Sequence, residues 1–176
     1  MSPIIRHLER AELSGIWTID RSEVIEKVYH YENRALVLRD ERYDVQGWPS
    51  NEIDRDSAIL LDCFDHGGSF FGAFSDAGLV GACVLESRFI GASTDQLQLK
   101  FLHVSQRHRG GGLGRRLFQE AVNKARYLGA RALYISATPS ENTIRFYRSL
   151  GCRLADAFDP SLFDLEPQDI HLTLLL

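Results

Sequence analysis

The sequence predicts an α/β chain of the α+β kind, and three observations lead there. Between residues 70 and 104, apolar strand-like runs follow one another across turn residues, the pattern of antiparallel hairpins. After residue 104, amphipathic helix-like segments alternate with strand-like ones. The 176 residues, 44% hydrophobic and 25% charged, suit one domain with a core of its own, spanning 1–176.

Taken in order, Ile4 to His7 reads as a first strand, and Arg10 to Ile19 as a helix with Leu13, Ile16 and Trp17 on one side. Val24 to Tyr31 and Ala35 to Tyr43 are β-rich runs around Glu32-Asn33-Arg34, a hairpin signal. Helix spacing of Val24, Ile25, Val28 and Tyr29 leaves a helix open for the first of them. Ser50, after Trp48-Pro49, is the expected cap of a helix reaching Asp65, which Gly67-Gly68 stop. Phe70 to Ser75 and Leu79 to Arg88 form a hairpin around Asp76-Ala77-Gly78, and Leu97 to Val104 is the next strand. Leu113 to Leu128 is amphipathic and helical. The apolar Leu172 to Leu176 is short enough to be a buried strand, whereas an exposed terminal strand would favour a homodimer.

Composition narrows the function. A net charge of −4 gives no general attraction to nucleic acid or anionic membranes, so the basic cluster at 107–116 is a local feature. Cys63, Cys83 and Cys152 are odd in number and lack C-x-x-C or metal-ligand spacing, which suggests reduced thiols in a cytoplasmic protein. Met1-Ser2-Pro3-Ile4-Ile5-Arg6 has no signal-like apolar region, and no run approaches a membrane span. His7, His30, His66, His108 and His171 share no ligand spacing, so no metal site is expected.

The most informative stretch is Arg109-Gly110-Gly111-Gly112-Leu113-Gly114-Arg115-Arg116, between an apolar strand and an amphipathic helix. Four glycines in five positions strip side chains from a turn at a helix start. Backbone N–H groups and the helix's positive end can there reach an anion, and the arginines beside it suit phosphate. No Lys-Ser/Thr pair follows Gly114, so the turn is not a P-loop. The spacing G-x-G-x-x-G also fails, because Arg115 or Leu117 would fill its last position.

What fits is [R/Q]-x-x-G-x-G, and here the chain resembles the GNAT superfamily of acyl-CoA-dependent N-acyltransferases. A second segment, Ala137-Thr138-Pro139-Ser140-Glu141-Asn142-Thr143-Ile144-Arg145-Phe146-Tyr147-Arg148-Ser149-Leu150-Gly151-Cys152, is similar to the next motif of that family. Ser140 would cap its helix and Gly151 would end it. The two motifs span 104–152, and strand order extends the resemblance back to about Phe70. It implies a mixed, mostly antiparallel sheet flanked by helices, acetyl-CoA as cosubstrate without a metal, and transfer to a small-molecule amine or peptide N-terminus.

By the same resemblance, Gly110, Gly111, Gly112, Leu113, Gly114 and Arg115, with Arg109, would hold the coenzyme A pyrophosphate. Backbone N–H groups of Leu102, His103 and Val104 would meet the pantetheine and the thioester oxygen, where one oxyanion donor commonly contributes about 3–4 kcal/mol. Tyr147 would protonate the departing thiolate. The family's usual Asn stands seven residues before that Tyr, where this chain has Ser140; Asn142 is five before it, so both are candidates for the cofactor contact. The family's common strand Glu is absent from Gln96-Leu97-Gln98-Leu99-Lys100-Phe101, leaving Glu86 and His103 as candidate general bases. That absence also keeps open a non-catalytic acyl-CoA-binding sensor. The segment 24–48 exceeds the family's minimum and would lie near the acceptor. Tyr29, Tyr31, Tyr43 and Trp48 there, with Glu26, Glu41 and Asp44, could wall a cationic acceptor or simply pack the hairpin.

Overall fold

The computed structural model of the protein describes residues 2–176. Nine strands and four α-helices alternate along it: β1 (Ile4–His7), β2 (Glu23–Glu32), β3 (Ala35–Val45), α1 (Ser50–Asp65), β4 (Ser69–Ser75), β5 (Gly78–Ile90), β6 (Gln96–Val104), α2 (Leu113–Tyr127), β7 (Ala132–Ala137), α3 (Glu141–Ser149), β8 (Arg153–Leu154), α4 (Pro160–Leu165) and β9 (Ile170–Leu175). Seven strands form one sheet in the order β1-β4-β5-β6-β7-β9-β8, and β2-β3 is a separate hairpin. Only β6 and β7 run parallel, connected through α2; the other neighbours are antiparallel. This is the mixed, mostly antiparallel sheet expected, with helices on both faces.

Alternation along β5 divides the core in two. Cys83 and Leu85 turn toward α2, whose Leu113, Leu117, Phe118, Ala121, Val122 and Ala125 form its buried stripe. Ala82 and Val84 turn the other way, onto Leu60 and Cys63 of α1 and onto Leu13 and Ile16. The 10–19 segment is a 3-10 helix (Arg10–Thr18) rather than an α-helix. Its inward residues Leu13 and Ile16, and Ile19 just past its end, recur every third position and are at most 5% exposed, which three residues per turn aligns on one side.

The 24–45 segment is the hairpin and not the helical alternative. Asn33 and Arg34 both take positive φ, the two-residue turn that matches strand twist. The expected cap at Ser50 is corrected: Pro49 holds the capping position and Ser50 is the first helical residue, with no side-chain bond to the free amides. The last strand is not an exposed edge either. β9 runs between β7 and β8, with Ile170, His171 and Leu172 each no more than 1% exposed, so the basis for expecting edge-to-edge pairing there falls away.

Candidate active site

The parallel strands β6 and β7 pair only over Gln96–Gln98 and Ala132–Tyr134. Beyond that point they separate, β6 running on to Val104 and β7 to Ala137. A bulge accompanies the separation: Phe101 lies opposite Val84 but Leu99 lies opposite Leu85, so Lys100 is an extra residue in β6. On its other side β6 stays paired with β5, and the Ser105 N–H donates to the Val80 carbonyl at 2.8 Å. Antiparallel alternation then aims the N–H groups of Leu102 and Val104 at the free edge, while that of His103 faces β5. Two of the three expected donors thus line the opening.

The glycine turn sits at the end of that edge. Gly110 and Gly112 take φ of 78° and 82°, where a side chain is strained, and no atom approaches the positions that a Cβ would take at Gly110, Gly111 or Gly112. The first intrahelical bond of α2 is from the Arg116 N–H to the Gly112 carbonyl, and no side chain caps the helix. The amides of Leu113, Gly114 and Arg115 therefore remain unbonded at the positive end of a 15-residue helix. Gly114 also serves packing, since a Cβ there would lie 3.4 Å from the Phe146 ring of α3.

The arginines divide by role. Arg109 is spent on protein: Nε donates to the Val104 carbonyl at 2.9 Å, Nη1 to that of Ser22 at 3.2 Å and Nη2 to that of Asp20 at 3.4 Å, with Glu23 at 3.9 Å. It latches the segment before β2 to the turn. Arg116 reaches the Pro3 carbonyl at 3.1 Å. Arg115 is exposed and, among the described residues, makes no hydrogen bond or ion pair.

Tyr147, 6% exposed, packs against Phe118 and Phe146. Burial, then the nearby Cys83, Cys152 and Asp169, pushes its ionisation far above the ordinary tyrosine value. Among the described residues nothing hydrogen-bonds its hydroxyl. Ser140 is the α3 cap, its Oγ accepting from the Thr143 N–H at 3.2 Å, and it is 2% exposed. Asn142 Nδ2 donates to Glu23 Oε1 at 3.0 Å. Both candidates thus have structural employment, one closing the helix and the other holding β2 to it.

Neither base candidate is poised to take a proton. Burial of Glu86 would raise its pKa, but Arg88, the Ser87 N–H and Lys100 outweigh it and hold the carboxyl at about 2. Its Oε2 lies 3.1 Å from Arg88 Nη2 and 3.3 Å from Lys100 Nζ. His103 is pushed down to about 3 by burial and by the charges of Arg21 and Arg109, so its imidazole is neutral but a very weak base. It packs in an aromatic cluster with Phe101 and Trp48, and Arg21 stacks over Trp48. The aromatic residues of 24–48 do not make one wall. Trp48 joins His103, Tyr31 packs on Phe158, and Tyr43 donates to Glu41, which also holds His30.

Sequence reasoning missed a polar group on β7 and β9. Ser136 Oγ donates to Asp169 Oδ2 at 2.7 Å, and Tyr134 contacts His171 Nδ1 at 2.5 Å while accepting from the Asp159 N–H. Burial pushes Asp169 up to about 6. The partners are 33 and 37 residues apart in sequence, so no local pattern marks them. Among the described residues no cluster of three or more His, Cys, Asp or Glu could hold a metal.

Comparison with known proteins identifies the family and the fold. The profile of the acetyltransferase (GNAT) family matches residues 25–152. No curated protein sequence matches the chain. Among solved structures, nourseothricin acetyltransferase is similar at 22% identity and a TM-score of 0.72, with 99% of each chain covered. The PaiA N-acetyltransferase of Thermoplasma acidophilum, in complex with coenzyme A, is similar at 18% identity and a TM-score of 0.65, with 100% of each covered. A GNAT family acetyltransferase of Elizabethkingia anophelis with acetyl-CoA bound is similar at 19% identity and a TM-score of 0.55, over 70% of this chain and 85% of that one. With a separated strand pair, an uncapped helix start behind a glycine turn and a family profile over most of its length, the chain belongs to the GNAT acetyltransferase family.

Proposed function

We propose that the protein transfers an acetyl group from acetyl-CoA to a primary amine by direct attack in a ternary complex. One observation carries this reading: where β6 parts from β7, its free donors end beside the unbonded amides of α2, a Cβ at Gly114 lying 3.8 Å from Val104 and 3.4 Å from the Phe146 ring next to Tyr147. The amides of Leu113, Gly114 and Arg115 would hold the pyrophosphate, with the Arg115 guanidinium beside them. The N–H groups of Leu102 and Val104 would fix the pantetheine and thioester. Tyr147, protonated at every working pH, would supply a proton to the leaving sulfur. The acceptor is a small-molecule amine or a peptide N-terminus. Three buried, unpaired cysteines suit a reducing cytoplasmic setting.

Calorimetric titration with acetyl-CoA, coenzyme A and ATP tests the binding half. Acetyl-CoA and coenzyme A should bind at one site, and ATP, which lacks pantetheine, much more weakly. Equal binding of ATP would reduce the site to a general anion cradle. A sensor that binds acetyl-CoA without turning it over is favoured by the engagement of both Glu86 and His103. Release of thiol on adding an amine separates that reading from an enzyme.

A further inference from the structure

Resting on the acetyl-transfer reading, we propose that the Asp169 carboxylate is the group that takes the proton from the acceptor amine. Asp169 directly precedes β9, whose Ile170 lies opposite Ala137. It therefore sits beside the last residues of β7, beyond the point where β6 has turned away. Leu133, Ile135 and Ala137 pack toward α2, so Ser136 faces the other side of the sheet, and its hydroxyl holds Asp169 there. Asp169 is half-buried, and among the described residues its Oδ1 has no partner and its carboxylate no ion pair. An ammonium group could meet that oxygen directly.

The groups around it leave the carboxylate basic. Glu166 adds like charge from the same loop. Arg55 of α1 pulls Asp169 down, but it is shared with Asp56 at 2.6 Å and Glu166 at 2.7 Å, and burial outweighs it. Tyr147 of α3 is near enough for its ionisation to feel Asp169, and it is neutral. His171, on β9, is wholly buried, and burial lowers its pKa. With burial pushing Asp169 up to about 6, it is ionised at neutral pH yet far more basic than Glu86.

The step balances. The Asp169 carboxylate accepts one proton from the ammonium, which leaves a lone pair on nitrogen. As nitrogen bonds to the acetyl carbon, the carbon–sulfur bond breaks and its electron pair leaves on sulfur. Tyr147 gives its proton to that sulfur and regains one from the new amide nitrogen; Asp169 releases its proton to water.

The test is the pH dependence of kcat/KM, read as thiol release from acetyl-CoA with spermidine, lysine and a peptide with a free amino terminus. The wild type should show an acidic limb breaking near pH 6. Asp169→Asn should lower kcat/KM roughly 10²–10⁴-fold, the range for general bases, and abolish that break while acetyl-CoA affinity by calorimetry stays unchanged. Asp169→Glu, which keeps a carboxylate, should restore part of the rate and a break. Ser136→Ala removes a hydrogen bond that favours the carboxylate, so its break should move to higher pH. An Asp169→Asn enzyme retaining its rate or its break would overturn the proposal. So would an unmoved break in Ser136→Ala, which decides the matter even if the Asn variant does not fold. A wild type that acetylates no amine overturns the transfer reading and this proposal with it. A wild type that turns over while Asp169→Asn is unimpaired overturns the proposal alone.

Discussion

Removing only the hydroxyl of Tyr147 separates its ring, which packs on Phe118 and Phe146, from its proton. Tyr147→Phe should leave acetyl-CoA affinity nearly constant and lower kcat roughly 10²–10⁴-fold. Because its ionisation lies far above the ordinary range, the loss should be equal at every pH and the shape of the profile unaltered. A variant with full kcat would make the tyrosine a packing residue. Asp169 carries a prediction of the opposite kind, about stability. Its folded-state pKa of about 6 exceeds the ordinary 3.8, so the stability it contributes is full below about pH 3.8 and lost as pH rises through 6. At pH 7 the buried charge costs folding energy, and Asp169→Asn should raise stability on the order of 1–3 kcal/mol, with the gain gone at pH 3. Denaturant unfolding at both pH values measures it; an Asn variant less stable at pH 7 would mean the carboxylate is a structural anchor. Glu86 shows the limit of residue types read one at a time. Its position on β5 is visible in the sequence, whereas its engagement by Arg88 and Lys100 depends on two bulges that only the paired strands reveal.

The glycine turn and the start of α2 act as one element, and their arginines respond differently to substitution. Arg115 is unpaired among the described residues and beside the free amides, so Arg115→Ala should weaken coenzyme A binding and flatten its decline with salt. Arg109 latches two carbonyls across 87 and 89 residues of sequence as well as that of Val104 at the end of β6. Arg109→Ala should lower the melting temperature and loosen the turn, while the salt dependence of binding keeps its slope. The reverse pattern, measured by calorimetry at several ionic strengths, would return Arg109 to the phosphates. Gly112→Val strains the backbone and fills the cradle, whereas Gly111→Val adds bulk at an unstrained position. Both should cost acetyl-CoA at least tenfold in affinity, about 1.4 kcal/mol, and unchanged affinity in a folded Gly111→Val would remove the pyrophosphate from this turn. These elements were legible because their signals are local. A glycine turn before an amphipathic run, Ser140 three residues before the amide it caps, and Asn33-Arg34 between β-rich runs each need only neighbours. The 3-10 helix was legible as a helix, but its winding follows from burial of every third residue, which requires the sheet beneath it.

Across the whole molecule, the hairpin β2-β3 is fastened by hydrogen bonds to the segment that opens α3 and by an ion pair to the turn before α2. The Tyr29 N–H donates to the Pro139 carbonyl at 2.8 Å, and Glu23 meets both Asn142 and Arg109. Its aromatic residues suggested an acceptor wall, yet the structure scatters them, because pairing register and a bulge after Ile25 decide which side each ring faces. The order of strands and the site's backbone half were readable from motifs that occupy contiguous sequence. The polar pairs, Ser136 with Asp169 and Tyr134 with His171, arise where β9 returns beside β7, and only the topology brings them together. In the proposed reading, these parts serve transfer of an acetyl group where β6 and β7 separate. The direct measurement is thiol release from acetyl-CoA by the wild-type protein, with and without a panel of primary amines. Acetyl transfer predicts that release requires both acetyl-CoA and an amine and yields the acetylated amine in equal amount. Tight binding of acetyl-CoA with no amine-dependent thiol release would contradict it.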